Sequence, residues 1–239
     1  RKLVHEQREH HRLDGFVVGS QYMAQHHADH GFPVSKIHVL PLFADPPTDF
    51  QVAARDRNRL LFVGQIVRGK GLDLLIHAMK RVDEKISLTV VGTGAQEAES
   101  KHLCERLGLS SRVEFLGKMD QTHLADLYVR AGGLVVPSRS PETFGQVGIE
   151  AMSYGLPAIA ANVGGISQWL KPGMNGILCA PNDSNSLAEA IDQLVSTPGL
   201  AERFSRAAIE SYHSNFRPDT HADSLASLLH RTCRSTVAK

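Results

Sequence analysis

The sequence predicts an α/β protein built on an open parallel sheet with helices on both of its faces. Two observations predict it. Short apolar runs alternate with segments of helical periodicity along most of the chain. Those runs are continuously rather than alternately hydrophobic, as strands covered on both faces require.

The elements follow in order. "DGFVVGS" (14–20) gives a buried strand, and "QYMAQHHADHG" gives a helix ending at Gly31. "KIHVLPL" supplies another strand. "FADPPTDFQVAARDRNR" then loses all periodicity and carries paired prolines, the mark of a linker. From Leu60 the alternation is regular. "RLLFVG" precedes "GLDLLIHAMKRV", whose Leu72, Leu75, Ile76 and Met79 share one helical face. "ISLTVVG" precedes "AQEAESKHLCERLG", with Gly108 as C-cap. "VEFLG" precedes "QTHLADLYVRAGG", and "LVVPS" precedes "GQVGIEAMSYG". "PAIAANV" leads to the short "GGISQWL", and "GILCA" to "SNSLAEAIDQLV". Two further helices, "GLAERFSRAAIESYHS" and "THADSLASLLHRTC", have no strand partners and are expected to brace the outside of the sheet.

Composition narrows the function. With 42% apolar residues, 21% charged residues and a formal charge of +1, the 239-residue chain offers no bulk attraction for nucleic acid or membrane. Its sparse aromatics are not interleaved with basic clusters. Cys104, Cys179 and Cys233 are scattered and odd in number, which fits a reducing, cytoplasmic compartment better than a disulfide framework. No apolar run reaches membrane-spanning length and no signal peptide opens the chain. The start "RKLVHEQREHH" lacks an initiating Met, so further sequence is expected upstream. His5, His10, His11, His26, His27 and His30 lack a carboxylate or Cys at ligand spacing, and no metal site is expected.

In sheets of this kind ligands bind at the carboxyl ends of the strands, so the strand-to-helix loops are the places to search. In "GQIVRGKG", Arg68 and Lys70 stand where a helix should begin. Cations oppose the helix dipole there, unless an anion lies between them and the backbone amides. The loop also fits most of a P-loop pattern, but Gly71 stands where that site needs a Ser or Thr for magnesium. "VVGTGAQ" lacks the third glycine of a dinucleotide fingerprint and reads as a tight turn against a close neighbour.

The stretch "PSRSPETFGQVGIEAM" places Glu142 in a loop and Glu150 within the helix that Gly145 begins. The amides of Phe144, Gly145 and Gln146 are then free donors for a phosphate or sugar oxygen. Glu150, about one and a half turns into the helix, is set too deep to share one atom with Glu142. Two contacts along an extended ligand fit this spacing better than the acid/base pair of a glycoside hydrolase.

These residues resemble the C-terminal lobe of the retaining GT-B glycosyltransferases of family 4. "LLFVGQIVRGKGLDLLIHA", "VVGTG", "VEFLGKM", "VVPSRSPETFGQVGIEAMSYGLPAIAANVGG" and "MNGILCAPND" follow that family's order, and the Glu-x7-Glu motif is its specific mark. The resemblance implies a Rossmann-like lobe that binds a nucleoside diphosphate sugar without a metal or other cofactor. It implies that Glu150 binds the ribose hydroxyls and Glu142 the donor sugar. The amides of Phe144, Gly145, Gln146 and Val147 would take sugar and phosphate oxygens, and Lys70 the diphosphate. The Lys118-Met119 turn would meet the base, and the first loop, with Gly64 and Gln65, would adjoin the phosphates. Two positions depart from the pattern. Gln65 stands where the family carries Arg, which Arg68 is expected to offset, and Gln168 stands where it carries an acid.

The resemblance also divides the chain. Residues 1–45 would be the remnant of an N-terminal acceptor lobe, 46–58 an interlobe linker and 59–215 the donor lobe. Residues 216–239 would form a helix bracing the absent lobe. The expectation is a truncated glycosyltransferase, cytoplasmic or peripheral to the inner membrane. Its acceptor would be a saccharide, lipid or small molecule. A non-catalytic nucleotide-sugar-binding module, and an epimerase or phosphorylase on the same architecture, are the alternatives.

Overall fold

The computed structural model describes residues 13–45 and 55–237, with side chains as far as Thr232. β1 (Phe16–Val18), α1 (Gln21–Asp29) and β2 (Ile37–Val39) form a small unit whose two strands pair in parallel. The main body runs β3 (Asp56–Val63), α2 (Leu72–Met79), β4 (Ser87–Val91), α3 (Glu97–Leu107), β5 (Val113–Gly117), α4 (Gln121–Arg130) and β6 (Ala131–Val136). It continues with α5 (Gln146–Ser153), β7 (Ala158–Ala161), β8 (Gly176–Cys179) and α6 (Ser184–Ser196), followed by α7 (Leu200–Asn215) and α8 (Pro218–Val237).

The six strands of the main body are all parallel, in the order β5-β4-β3-β6-β7-β8. The chain enters at β3, builds outward to β5, then returns to lay β6 against the other side of β3. This is the doubly wound order, and the loops after β3 and β6 part in opposite directions to leave a crevice. The expected open parallel sheet with helices on both faces is the fold observed.

The continuous hydrophobicity of the strands has a direct cause. Leu60, Leu61 and Phe62 are all buried, yet Leu60 and Phe62 belong to the core on one side of the sheet and Leu61 to the core on the other. Successive residues of a strand face opposite ways, so a sheet with two cores needs apolar residues at every position. Leu72, Leu75, Ile76 and Met79 of α2 all lie in the first core, as their spacing predicts.

Three boundaries differ from expectation. Ala131, Gly132 and Gly133 are not the end of α4 but the start of β6. A Cβ on Gly132 would stand 2.5 Å from the Arg57 carbonyl oxygen, and one on Gly133 would stand 2.8 Å from Leu194. The glycines permit close approach across the sheet rather than closing a helix. Of the expected linker, residues 46–54 lie outside the described residues, and Asp56 already belongs to β3. α2 ends at Met79, short of the expected Val82. The early histidines, His5, His10 and His11, also lie outside the described residues.

α5 is fixed by a buried tryptophan. Trp169 is fully buried and its Nε1 donates to the Phe144 carbonyl at 2.8 Å, while a Cβ on Gly148 would stand 2.2 Å from its ring. Gly148→Ala is therefore expected to cost about 2–3 kcal/mol, read from the urea midpoint. A shift of less than about 1 kcal/mol would contradict this packing.

Candidate functional site

The crevice at the carboxyl ends of β3 and β6 holds a cavity of about 500 Å³. Gly64, Gln65 and Lys70 line one side, and Pro137, Ser138, Glu142 and the segment Thr143 to Val147 line the other, with Glu150 beyond. Its walls are set by backbone contacts that exclude side chains. Ile66 N donates to the Thr93 carbonyl at 2.9 Å, and a Cβ on Gly92 or Gly94 would lie 1.9 Å from Gly64 O or 2.3 Å from Ile66 O. The Gly-x-Gly turn is thus a seat for the first loop.

That loop is stitched to the one after β6. Arg139 N and Ser140 N both donate to the Gly69 carbonyl, at 2.8 and 3.1 Å. Arg139 Nη2 donates to Asp73 at the start of α2, and Nη1 to Asn182 Oδ1 at 3.0 Å. Gly71 has φ 69° and lies so close that a Cβ would stand 2.1 Å from the Pro137 carbonyl oxygen. No Ser or Thr can occupy this position, which is where a P-loop requires its magnesium-binding hydroxyl.

Lys70 and Glu142 form an ion pair inside the cleft. Lys70 Nζ reaches Glu142 Oε1 at 2.7 Å and Oε2 at 3.0 Å, and Ser138 Oγ donates to the same Oε1. The Glu142 side chain is 13% exposed, against 37% for Lys70. Two of three ammonium N–H groups are thereby engaged, and one is left for a ligand. The Glu142 backbone is pinned as well: Gly165 N donates to its carbonyl at 2.7 Å.

Glu150 has a different environment. Tyr128 Oη donates to its Oε2 at 3.1 Å. Burial raises the Glu150 carboxyl above its ordinary range, against the lowering effect of the Tyr128 hydrogen bond, and the Asp45 carboxylate raises it further. Burial and the Glu150 charge keep the Tyr128 phenol neutral. Both carboxylates open on the same cavity, but only Glu150 also lines the adjoining hollow of about 540 Å³ with Asp45, Gln121, Leu124 and Tyr154.

The raised carboxyl sets a pH dependence. The folded chain holds the Glu150 proton more tightly than the unfolded chain. Its contribution is therefore fully present below the ordinary carboxylate pKa and is lost as pH rises through the raised value. Glu150→Gln should melt above the wild type at about pH 8 and together with it at about pH 4. An advantage that grows on acidification would contradict the burial of this charge.

Gly145 begins α5 with φ 85°, and no side chain caps the helix there. The amides of Phe144, Gly145, Gln146 and Val147 have no acceptor among the described residues. They form a row of donors at a helix N-terminus, facing the same cavity as Lys70.

Other expected residues fall outside this constellation. Arg68 is exposed and does not line the cavity. It shares a 3-10 turn with Lys70, where residues two apart diverge by about 240°. Lys118 is exposed, while Met119 packs on the second core; neither lines the cavity. Gln168, read as a lost charge, accepts from the Gln21 amide at 3.2 Å. Among the described residues no group of three or more His, Cys, Asp or Glu is placed to hold a metal ion. Nor is any helix among them long and apolar enough to cross a membrane.

Tyr128, Ser138, Asp45 and Arg55 were not found from sequence. Arg55 donates to the carbonyls of Tyr128 (2.7 Å), Ala131 (3.1 Å) and Tyr154, gathering the ends of α4 and α5 and so placing Tyr128 against Glu150. Burial lowers its pKa to about 10, which leaves it charged at neutral pH. Ser138, four residues before Glu142 in a Pro-Ser-Arg-Ser run, carried the one usable signal.

Comparison with known proteins gives the family and the fold. Residues 47–211 match the family described as Glycosyl transferases group 1. An uncharacterised glycosyltransferase of Methanocaldococcus jannaschii is 33% identical over 169 residues, 70% of this chain and 43% of that protein. A D-inositol 3-phosphate glycosyltransferase of Catenulispora acidiphila is 39% identical over 63% of this chain and 38% of its own length. The chain thus spans about two fifths of the length of these relatives. Among solved structures, HepE of Anabaena in complex with UDP superposes with a TM-score of 0.84 at 23% identity, over 91% of this chain and 64% of that one. HepE in complex with UDP-glucose gives 0.83 at 24%, over the same share of each. The fold is that of the C-terminal lobe of a GT-B protein, and the chain belongs to the group 1 glycosyltransferases.

Proposed function

We propose that this chain is the donor-binding half of a retaining glycosyltransferase, holding a nucleoside diphosphate sugar across the crevice between β3 and β6. The observation that carries the reading is the convergence of Lys70 and the free amides of Phe144 to Val147 on the cavity that Glu142 and Glu150 also line. Lys70 and the amides take the diphosphate, Glu142 the sugar hydroxyls and Glu150 the ribose hydroxyls. The adjoining hollow takes the base; Gln121 in its lining follows the Lys118-Met119 turn in sequence. The UDP and UDP-glucose of HepE, a protein of the same fold, support this class of ligand.

During transfer the bond between sugar C1 and the β-phosphate oxygen breaks. The nucleoside diphosphate leaves with the electron pair, an acceptor hydroxyl oxygen bonds to C1 from the same face, and the hydroxyl proton passes to the departing phosphate oxygen. Charge grows on the departing phosphate, where the Lys70 ammonium and the helix N-terminus stand ready to stabilise it. The acceptor-binding lobe, the acceptor and a cytoplasmic setting belong to the same proposal. Glu142 is shielded and paired, so it serves better as a hydrogen-bonding partner of the sugar than as a nucleophile.

Calorimetric titration with UDP, GDP and ADP tests the reading. At least one should bind, and its affinity should stand in EDTA, because a protein cation and backbone amides meet the phosphates. Loss of binding in EDTA would contradict that division of charge.

A further inference from the structure

The small β1–α1–β2 unit meets the cavity wall at one buried hydroxyl. Ser20 is 0% exposed. Its Oγ accepts from Met23 N at 3.3 Å, the ordinary task of a helix N-cap. The same Oγ donates to the Thr143 carbonyl at 2.6 Å, across 123 residues of sequence. Capping α1 does not require that second bond. Nor does packing alone, since alanine would fill the same space with less desolvation.

What the bond controls is the direction of a peptide plane. The described chain holds no cis peptide, so the Thr143 carbonyl and the Phe144 N–H point to opposite sides of one plane. Holding the oxygen on Ser20 turns the Phe144 amide away from α1, at the head of the row of free amides that follows. Gly165 is pressed against the same spot. A Cβ on it would stand 2.4 Å from Thr143 O and 2.8 Å from Ser20 Oγ. A second tie lies beside the first, where the Gln21 amide donates to Gln168 Oε1.

We infer that Ser20 is a positioning residue of the site: its hydroxyl fixes the Thr143–Phe144 peptide and so presets the amides of Phe144 to Val147 for an anion, with Gln168 holding the start of α1 in register. The identity of the anion rests on the donor reading above; the geometry does not. The arrangement makes the β1–α1–β2 unit part of the donor site, although none of its side chains lines the cavity.

Amide relaxation and chemical shifts test this in the ligand-free chain, comparing wild type with Ser20→Ala, Ser20→Cys and Gln168→Ala. In Ser20→Ala the order parameters of Phe144 to Val147 should fall from about 0.85 toward about 0.6, while those of β3 and α6 hold. Ser20→Cys, with its weaker donor, should lie between, and Gln168→Ala should show the same local pattern in smaller measure. Unchanged values at these four amides would overturn the inference. A fall spread evenly over the sheet would mark Ser20 as merely structural and would overturn it too. Should Ser20→Ala fail to fold, the cysteine and Gln168 variants decide by the same local criterion.

Titration then separates the inference from the reading beneath it. The nucleoside diphosphate that wild type binds should bind Ser20→Ala about tenfold more weakly, while the matching nucleoside binds both alike. Equal diphosphate affinity would overturn the positioning role. Absence of binding to wild type by UDP, GDP and ADP would overturn the donor reading and leave the relaxation result to stand by itself.

Discussion

Replacing Lys70 by alanine is expected to weaken nucleoside diphosphate binding roughly thirtyfold to hundredfold, about 2–3 kcal/mol. Two effects add. The ligand loses a charge-assisted hydrogen bond from the one unengaged ammonium N–H of that side chain. Glu142, held at 2.7 Å by the ammonium, also loses its counter-charge and faces the incoming phosphates with Ser138 as its remaining partner. The second effect gives the prediction an internal check. Adding Glu142→Ala to Lys70→Ala should recover part of the loss, because the repelling carboxylate goes with it. A double variant weaker than Lys70→Ala alone would contradict the pairing.

The two carboxylates should separate just as sharply. Glu150→Ala is expected to weaken the bare nucleoside diphosphate about hundredfold, since two ribose hydroxyls lose a charged acceptor and Tyr128 is left facing none. Glu142→Ala should leave that affinity within about threefold and erase the preference for the nucleotide sugar over the bare nucleotide. Isothermal titration of both ligands on both variants reads the four values. Equal losses for both ligands in both variants would contradict the division of roles.

Much of this arrangement was legible in the sequence, and the reason is local. Leu60-Leu61-Phe62 is apolar throughout because it feeds two cores, so the strand and its parallel class could be read from three residues. The crevice was legible because doubly wound sheets place ligands after their strands, and Glu142, Gly145 and Glu150 lie after the strand that reverses the sheet order. What could not be read depends on pairing across the fold. Tyr128 lies 22 residues before Glu150 and meets it across two helices whose ends Arg55 ties together. The bond from Ser20 to Thr143 joins residues 123 positions apart, with β2 to β6 between them.

Local conformation misled twice. Gly132 and Gly133 look like a helix stop in sequence and are a close-packed strand start, which requires knowing that Arg57 and Leu194 lie against them. Arg68 and Lys70 share a loop and a charge, so the sequence offers them as a pair. The 3-10 turn sends Lys70 into the cavity and leaves Arg68 exposed. The two carboxylates, too deep in sequence terms for one reacting centre, share one cavity while keeping separate partners.

The central claim is that one crevice holds the diphosphate on Lys70 and the amides of Phe144 to Val147, with the ribose on Glu150. A crystal structure of the chain grown with the nucleoside diphosphate that binds it tests this most directly. The account predicts phosphate oxygens within hydrogen-bond distance of Lys70 Nζ and those amides, and both ribose hydroxyls on the Glu150 carboxylate. A nucleotide seated elsewhere, or in this crevice with its phosphates turned away from Lys70 and α5, would contradict it.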